Sequence, residues 1–142
     1  MGEQHLKVLL VDDSALHLRN VRELLDEVPG LAVVHEAQTE QQARQWLQEH
    51  PEGWDLAIVD LFLQQGHGFN ILKQCRGRLP SQRVVVLSNY SVGPVREHVR
   101  NAGADAFFDK LWDMEALRHF CSGMAPGAQG LSAGPASPAR WS

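Results

Sequence analysis

Four short apolar runs of this sequence each end in a polar residue that could take part in phosphate or metal chemistry. These residues are, in chain order, the pair Asp12 and Asp13, then Asp60, Ser88 and Lys110. Three carboxylates brought close together repel one another, and they stay ionised together only when a cation lies among them. Mg²⁺ suits such a cluster because it prefers oxygen ligands and binds through one or two carboxylates together with phosphate.

A phosphoryl group is the substrate that this set of side chains suits best. Asp60 offers a carboxylate nucleophile for phosphoryl transfer, and the Lys110 ammonium and the Ser88 hydroxyl could hold the transferred group. Each residue alone also has an ordinary structural explanation. Asp60 and Asp13 could cap helices, Ser88 could be a turn residue and Lys110 a surface cation. Their joint occurrence at the ends of four strands favours one shared site.

The elements that must position these residues follow from the apolar pattern. Five apolar runs predict strands at 6–11, 31–37, 56–59, 83–87 and 105–109, and helical periodicity predicts helices at 14–28, 39–50, 69–75, 94–102 and 113–121. Regular alternation of strand and helix predicts a parallel sheet covered on both faces. The expected fold class is α/β, with a flavodoxin-like, doubly wound sheet of five strands in the order 2-1-3-4-5. Ligands bind outside the carboxyl ends of such strands, so the polar residues should meet there.

Two helix starts show capping signals. The segment from Thr39 to Gln42 has the form of a capping box at the start of the second helix. Asp113 can cap the last helix with its side chain.

The composition restricts the partners and the location of the protein. The chain has 142 residues and a formal net charge of −4, so it fits one domain and shows no basic face for nucleic acid. No apolar run is long enough to cross a membrane. Cys75 and Cys121 fall within helical patterns, as expected for buried thiols in a reducing compartment. The sequence therefore predicts a cytoplasmic protein that binds neither nucleic acid nor membrane.

The chain is predicted to consist of a folded domain, residues 1–122, and a disordered tail, residues 123–142. In the tail, 15 of 20 residues are Gly, Ala, Pro or Ser, a composition that buries too little apolar surface to fold. Trp141 could be a docking anchor there, although a lone aromatic residue in such a segment commonly has no role.

The sequence resembles the receiver domains of bacterial two-component response regulators across residues 5–122. The motifs that carry the resemblance are Val11-Asp12-Asp13-Ser14, Val59-Asp60 with Gly68 eight residues later, Leu87-Ser88, Ala102-Gly103-Ala104-Asp105 and Phe107-Phe108-Asp109-Lys110. The resemblance implies that Asp60 accepts a phosphoryl group from a phosphohistidine on a sensor histidine kinase or a histidine phosphotransfer protein. It implies a signalling switch and not an enzyme, with only Mg²⁺-dependent self-phosphorylation and self-dephosphorylation at Asp60.

The resemblance also implies a role for each residue of the site. The Mg²⁺ ligands would be Asp13, Asp60 and the main-chain carbonyl of Phe62, with Asp12 acting through water. Ser88 would hydrogen-bond to the phosphoryl group and Lys110 would pair with it. Phe107 matches the aromatic position that turns inward when Ser88 moves, so these two residues would form the switch.

The sequence departs from the family pattern at two positions. Gln64 replaces a proline that is usual four residues after the phosphoacceptor, and this change is expected to affect only the stiffness of the loop. Leu111 replaces the proline after the lysine, whose cis peptide bond helps to aim the ammonium. A cis bond before a non-proline residue costs about 2.5 to 4 kcal/mol. We therefore expect a trans bond between Lys110 and Leu111, with Lys110 still long enough to reach the site.

Two other functions fit parts of the sequence less well. A pseudo-receiver would keep the fold as an interaction module without phosphorylation, but the complete set of site residues disfavours it. A phosphohydrolase of the haloacid dehalogenase kind needs a second Asp two residues after the nucleophile, where Phe62 stands. Receivers are commonly fused to an output domain, whereas only the tail follows here. The expected output is therefore contact with a downstream protein.

Overall fold

A computed structural model of the chain describes residues 5–89 and 93–126, in which strands and helices alternate. The strands are β1 (Leu6–Val11), β2 (Leu31–Ala37), β3 (Leu56–Val59), β4 (Arg83–Ser88) and β5 (Ala106–Asp109). The helices are α1 (Ala15–Asp26), α2 (Glu40–Glu49), α3 (Gly68–Gln74), α4 (Gly93–Asn101) and α5 (Met114–Met124). A single 3₁₀ turn, Cys75–Gly77, extends α3. The predicted alternation is confirmed.

The sheet is parallel throughout, and its strands lie in the order β2-β1-β3-β4-β5. This is the predicted α/β, doubly wound arrangement with strand order 2-1-3-4-5. In the centre of the sheet Val11 pairs with Val59, and Val59 pairs with Val86. Because this register aligns the strand ends, the next residues, Asp12 and Asp60, lie side by side.

Apolar side chains form one core layer on each face of the sheet. Successive residues of a strand point to opposite faces, so Val8 and Leu10 enter one layer while Leu9 and Val11 enter the other. Helices α1 and α5 cover the first layer, and α2, α3 and α4 cover the second. All four residues of β3 are buried, as is typical of a central strand in a parallel sheet.

Side chains at the helix starts confirm one capping prediction and correct another. Thr39 Oγ1 accepts the Gln42 N–H at 3.0 Å, and the Gln42 side chain accepts the Gln38 N–H at 2.8 Å, which completes the box one residue earlier than usual. Asp113 does stand at the N-cap of α5, but its side chain makes no capping bond. It accepts the Asp109 N–H at 2.9 Å instead, because the turn after β5 brings that donor within its reach.

The last helix and the two thiols bear on the other predictions from composition. Helix α5 continues to Met124, past the predicted domain end at residue 122. Residues 127–142 of the predicted tail, with Trp141, lie outside the described residues. Cys75 and Cys121 are free and buried, and burial raises their pKa to about 11 and about 12, so both are packing residues. Within the described ranges, no helix has the length and apolar character needed to span a bilayer.

Candidate functional site

Three carboxylates meet where β1 and β3 end. Asp12 and Asp13 follow β1, and Asp60 follows β3, with the Asp60 N–H donating to the Val11 carbonyl at 2.9 Å. One oxygen atom from each of the three side chains lies within 4.8 Å of the other two. Asp12 and Asp60 are buried, whereas Asp13 is partly exposed. The fold thus brings together the three acidic residues that the strand ends predicted.

Lys110 extends from the end of β5 into this acidic cluster. Its Nζ lies 2.7 Å from Asp12 Oδ2 and 3.2 Å from Asp60 Oδ2, and only 8% of its side chain is exposed. The bond to Leu111 is trans, as predicted. Asp109 Oδ1 accepts the Leu111 N–H at 2.7 Å, which fixes the turn after the lysine. One ammonium therefore bridges carboxylates from two neighbouring strands without a cis bond beside it.

The charges within the acidic cluster do not cancel. The cluster contains three carboxylates, and Lys110 contributes one positive charge. Burial raises the pKa of Asp60, the Lys110 charge opposes that rise, and the Asp12 charge adds to it. A further cation would therefore favour the ionised form of Asp60. Carboxylate oxygens at this spacing are the ligands that Mg²⁺ prefers, so the donor set fits that ion.

The loop after β3 holds Asp13 through a backbone hydrogen bond. Asp13 Oδ2 accepts the Gln64 N–H at 2.7 Å. The expectation that Gln64 affects only the stiffness of the loop is wrong, because a proline at this position has no N–H and would leave this carboxylate oxygen without its donor. Residue 64 therefore acts on a candidate metal ligand through its main chain.

Gly68 allows α3 to begin directly against the backbone of Asp60. A Cβ atom at residue 68 would lie 2.4 Å from the Asp60 carbonyl oxygen and 3.0 Å from Leu61 Cα, which no side chain could tolerate. The Gly68 N–H donates to the Leu61 carbonyl at 2.7 Å and closes the loop. Close approach of two backbone segments explains the glycine eight residues after Asp60.

The other predicted site residues, Ser88, Phe62 and Phe107, differ widely in their exposure. Ser88 is completely buried at the end of β4, where it pairs with Asp109 in the sheet. Phe62 is 45% exposed in the loop after β3. Phe107 is buried in β5, and the guanidinium carbon of Arg96 lies 4.6 Å from its ring centre. The ring of the predicted switch residue thus points inward here, under a cation from α4.

Sequence reasoning missed His17, which belongs to the site by contact. Its Nδ1 lies 2.9 Å from Lys110 Nζ and 3.7 Å from Asp12 Oδ2. His17 is in the first turn of α1, four residues after Asp13, which places it above the carboxyl end of β1. That short spacing between a strand-end carboxylate and a helical histidine is the signal that could have identified it.

Comparison with known sequences gives one family. The family model of the response regulator receiver domain matches residues 8–121. The chain is 32% identical over 117 residues to the alginate biosynthesis transcriptional regulatory protein AlgB of Pseudomonas aeruginosa, which covers 82% of this chain and 25% of that protein. It is 25% identical over 105 residues to the response regulator UvrY of Escherichia coli, covering 74% and 47% respectively. The chain thus spans between a quarter and half of the length of these relatives.

Comparison with solved structures agrees on the fold. The CheX-CheY-BeF3-Mg+2 complex from Borrelia burgdorferi contains a chain that matches with a TM-score of 0.72 at 19% identity, over 82% of this chain and 87% of that one. The response regulator domain of Thermotoga maritima CheB matches with a TM-score of 0.72 at 21% identity, over 93% and 100%. At these identities the likeness shows the fold alone.

Proposed function

Since the chain belongs to the family of response regulator receiver domains, we propose that it is a signalling switch that is phosphorylated on Asp60. Receiver domains are in general phosphoacceptors and not enzymes. The observation that carries the proposal is the acidic cluster itself, in which Asp60 lies beside two other carboxylates and 3.2 Å from the Lys110 ammonium. The phosphoryl donor would be a phosphohistidine on a sensor histidine kinase or a histidine phosphotransfer protein.

The proposed reaction is a displacement at phosphorus. A carboxylate oxygen of Asp60 forms the new bond to phosphorus while the bond to the donor imidazole nitrogen breaks, and the imidazole leaves with that electron pair. Lys110 is already in contact with Asp60, so it can neutralise charge on the transferred group with little movement. Ser88, at the end of the neighbouring strand, is proposed to donate a hydrogen bond to the phosphoryl group.

A magnesium ion is proposed to complete the site. Asp13, Asp60 and the main-chain carbonyl of Phe62 would bind it, and Asp12 would act through water. Bound there, Mg²⁺ would supply charge neutralisation for the carboxylates and the phosphoryl oxygens. The Gln64 N–H already holds Asp13, which reduces the freedom that this ligand would lose on binding. Asp12 also accepts a hydrogen bond from Lys110, so it would connect the proposed cation site with the lysine.

The response to phosphorylation is proposed to run through Ser88 and Phe107. Movement of the Ser88 hydroxyl toward the phosphoryl group would change the space beside the Phe107 ring, which packs under Arg96 of α4. The surface formed by α4, β5 and α5 would then differ between the two states. NMR spectra with and without beryllofluoride test this, since changes confined to the acidic cluster, with none from residue 93 to 118, would contradict a coupled switch.

The output is proposed to be contact with a downstream protein, in the cytoplasm. The net charge of −4 disfavours nucleic acid as a direct partner of this chain. Relatives do include the DNA-binding transcriptional activator DevR/DosR of Mycobacterium tuberculosis, which is 30% identical over 114 residues and about half covered by this chain. The proposal of protein contacts therefore concerns the receiver domain and not the full length of such relatives.

Intact mass spectrometry tests the phosphoacceptor directly. The protein is incubated with Mg²⁺ and phosphoramidate, and one phosphoryl mass should be gained. Asp60→Asn should abolish the gain because the amide is not a nucleophile of this kind. A gain that persists in Asp60→Asn would assign the acceptor elsewhere. A wild-type protein that gains no mass would favour the alternative, a pseudo-receiver that acts without phosphorylation.

A further inference from the structure

The Lys110 ammonium has three N–H donors, and three acceptors lie within reach of it. They are Asp12 Oδ2 at 2.7 Å, His17 Nδ1 at 2.9 Å and Asp60 Oδ2 at 3.2 Å. Since an ammonium carries three protons and no lone pair, each proton can take one of these acceptors. The side chain is 8% exposed, so a partner that is removed is poorly replaced by water.

The contact with His17 requires one tautomer of its ring. Lys110 can only donate, so Nδ1 of His17 must carry a lone pair, and the ring proton must be on Nε2. A neutral imidazole of this kind accepts a hydrogen bond without adding a charge to the acidic cluster. His17 differs in this from Asp12, which would share its carboxylate between Lys110 and the metal site.

The three acceptors of Lys110 hold its ammonium from two neighbouring strands. Asp12 and His17 flank the start of α1, and together they hold the ammonium from the side of β1. The third donor then points to Asp60 on β3. A lysine side chain has four rotatable bonds. Fixing its ammonium before the reaction reduces the conformational entropy that must be lost on reaching the transition state.

We propose that His17 is a positioning residue for phosphoryl transfer, and that its Nδ1 holds the Lys110 ammonium beside Asp60. This inference rests on the proposed function of Asp60 as phosphoacceptor. Without His17, Lys110 keeps its contact with Asp12 but loses the second fixed point that directs its remaining donors. The initial rate of phosphorylation should fall, while the identity of the acceptor should not change.

Three substitutions separate an acceptor at Nδ1 from simple packing. His17→Asn places an amide oxygen close to the position of Nδ1, His17→Gln places it one bond farther out, and His17→Leu supplies no acceptor. At saturating Mg²⁺ with phosphoramidate, His17→Leu should be slower by about tenfold, as expected for losing one hydrogen bond to a charged group. His17→Asn should recover most of the rate, and His17→Gln should recover less.

The fold should tolerate all three changes. The side chain of His17 is 37% exposed, so no core cavity opens. The residue 17 N–H donates to Ser14 Oγ at 3.2 Å, and this bond at the start of α1 involves only the main chain of residue 17. Equal unfolding midpoints would confirm matched stability before the rates are compared.

A spectroscopic measurement tests the contact independently of the reaction. ¹⁵N NMR of the histidine rings should show His17 with its proton on Nε2, and Lys110→Met should shift its Nδ1 resonance. A proton on Nδ1 in the wild-type protein, or equal rate losses in all three His17 variants, would overturn the proposal. A wild-type protein that is not phosphorylated would contradict the proposed function instead, and the NMR result would still decide whether the contact exists.

Discussion

Aspartates lie beside buried strands both where the strands begin, the amino-terminal edge of the sheet, and where they end, the carboxyl edge. The hydrogen-bond partners of these aspartates differ between the two edges. At the amino-terminal edge, Asp55 precedes β3 and its Oδ2 accepts the Lys7 N–H at 2.8 Å. Asp105 precedes β5, and its Oδ2 accepts the Val84 N–H at 2.8 Å and the Arg78 guanidinium at 3.0 Å. Each of these carboxylates joins its own strand to the neighbouring one and has its donors close by.

At the carboxyl edge, the aspartates are crowded and share one cation. Asp12, Asp13 and Asp60 approach within 4.8 Å, and Lys110 contacts two of them. An aspartate next to a strand is therefore a weak indicator of function by residue type alone. The informative property is whether a nearby cation balances the negative charge of the aspartate. Arg78 does so for Asp105, whereas the acidic cluster has more carboxylates than cations.

The largest expected effect is the loss of metal affinity on removing Asp13. Asp13→Ala takes away a proposed ligand and one of three negative charges, so Mg²⁺ affinity should fall by about 100-fold or more. The free energy of unfolding in EDTA should change little, because relief of repulsion within the cluster offsets loss of the hydrogen bond from the Gln64 N–H. Isothermal titration and denaturant unfolding measure the two quantities. Unchanged Mg²⁺ affinity would remove Asp13 from the proposed ligand set.

Asp105→Ala should give the opposite result. Its loss leaves the Val84 N–H and the Arg78 guanidinium without this acceptor, and the free energy of unfolding should fall by about 2 to 3 kcal/mol. Mg²⁺ affinity of the folded protein should stay at the wild-type value. A loss of Mg²⁺ affinity in Asp105→Ala would show that the two edges are coupled, and it would contradict the separate roles given to their aspartates.

Gln64→Pro should produce a smaller change within the carboxyl edge. Removing the N–H that donates to Asp13 should weaken Mg²⁺ binding by about tenfold, whereas Gln64→Ala keeps the N–H and should bind like the wild type. Both variants need equal unfolding midpoints in EDTA, so that loop strain is not the cause. If both variants bind Mg²⁺ equally weakly, the Gln64 side chain is responsible. If both bind it like the wild type, neither the side chain nor the N–H of residue 64 affects Mg²⁺ binding.

The smallest effect is expected at Glu40, a carboxylate of the same edge whose partners are local. The His67 N–H, then Asn70 and Arg44, lower the pKa of Glu40 by hydrogen bonding. A lowered pKa means that the ionised form stabilises the fold above the ordinary pKa of 4.5 and that this contribution is lost as the pH falls. Only 15% of the Glu40 side chain is exposed, but glutamine keeps an oxygen that accepts hydrogen bonds, and the charged partner Arg44 is half-exposed. Glu40→Gln should therefore cost about 1 kcal/mol or less at pH 7.

The pH dependence provides the control for Glu40. The difference in unfolding free energy between wild type and Glu40→Gln should shrink as the pH falls below 4.5, because Glu40 becomes protonated whereas glutamine is neutral throughout. Denaturant unfolding at stepwise lower pH measures this. A difference that grows on acidification would mean that Glu40 is stabilising in its protonated form.

The fold and the acidic cluster could be predicted because both depend on periodic features of the sequence. Apolar runs such as Leu56–Val59 indicated the strands, and alternation with helices indicated parallel pairing. In a parallel sheet the residue after each strand falls at a common edge, so Asp12, Asp60 and Lys110 could be grouped without coordinates.

The parts that could not be predicted depend on individual bond directions. The donor to Asp13 is a main-chain N–H, which every residue except proline carries, so the absence of proline at residue 64 permitted this bond but did not indicate it. Asp113 had a suitable side chain for a cap, but turn geometry offered it the Asp109 N–H. Arg96 lies over Phe107 because of how α4 packs on β5, which residue types do not determine.

The contact between Lys110 and Asp12 joins residues 98 positions apart, close to the two ends of the domain. In the sheet β3 and β4 lie between β1 and β5, so this contact closes a long stretch of chain, and contacts of such large sequence separation form slowly. A chain still emerging from the ribosome, or one cut before β5, would contain Asp60, the proposed phosphoacceptor, but not Lys110. If Asp60 is phosphorylated as proposed, only complete molecules would be competent for that reaction, and incomplete copies would not compete for the donor.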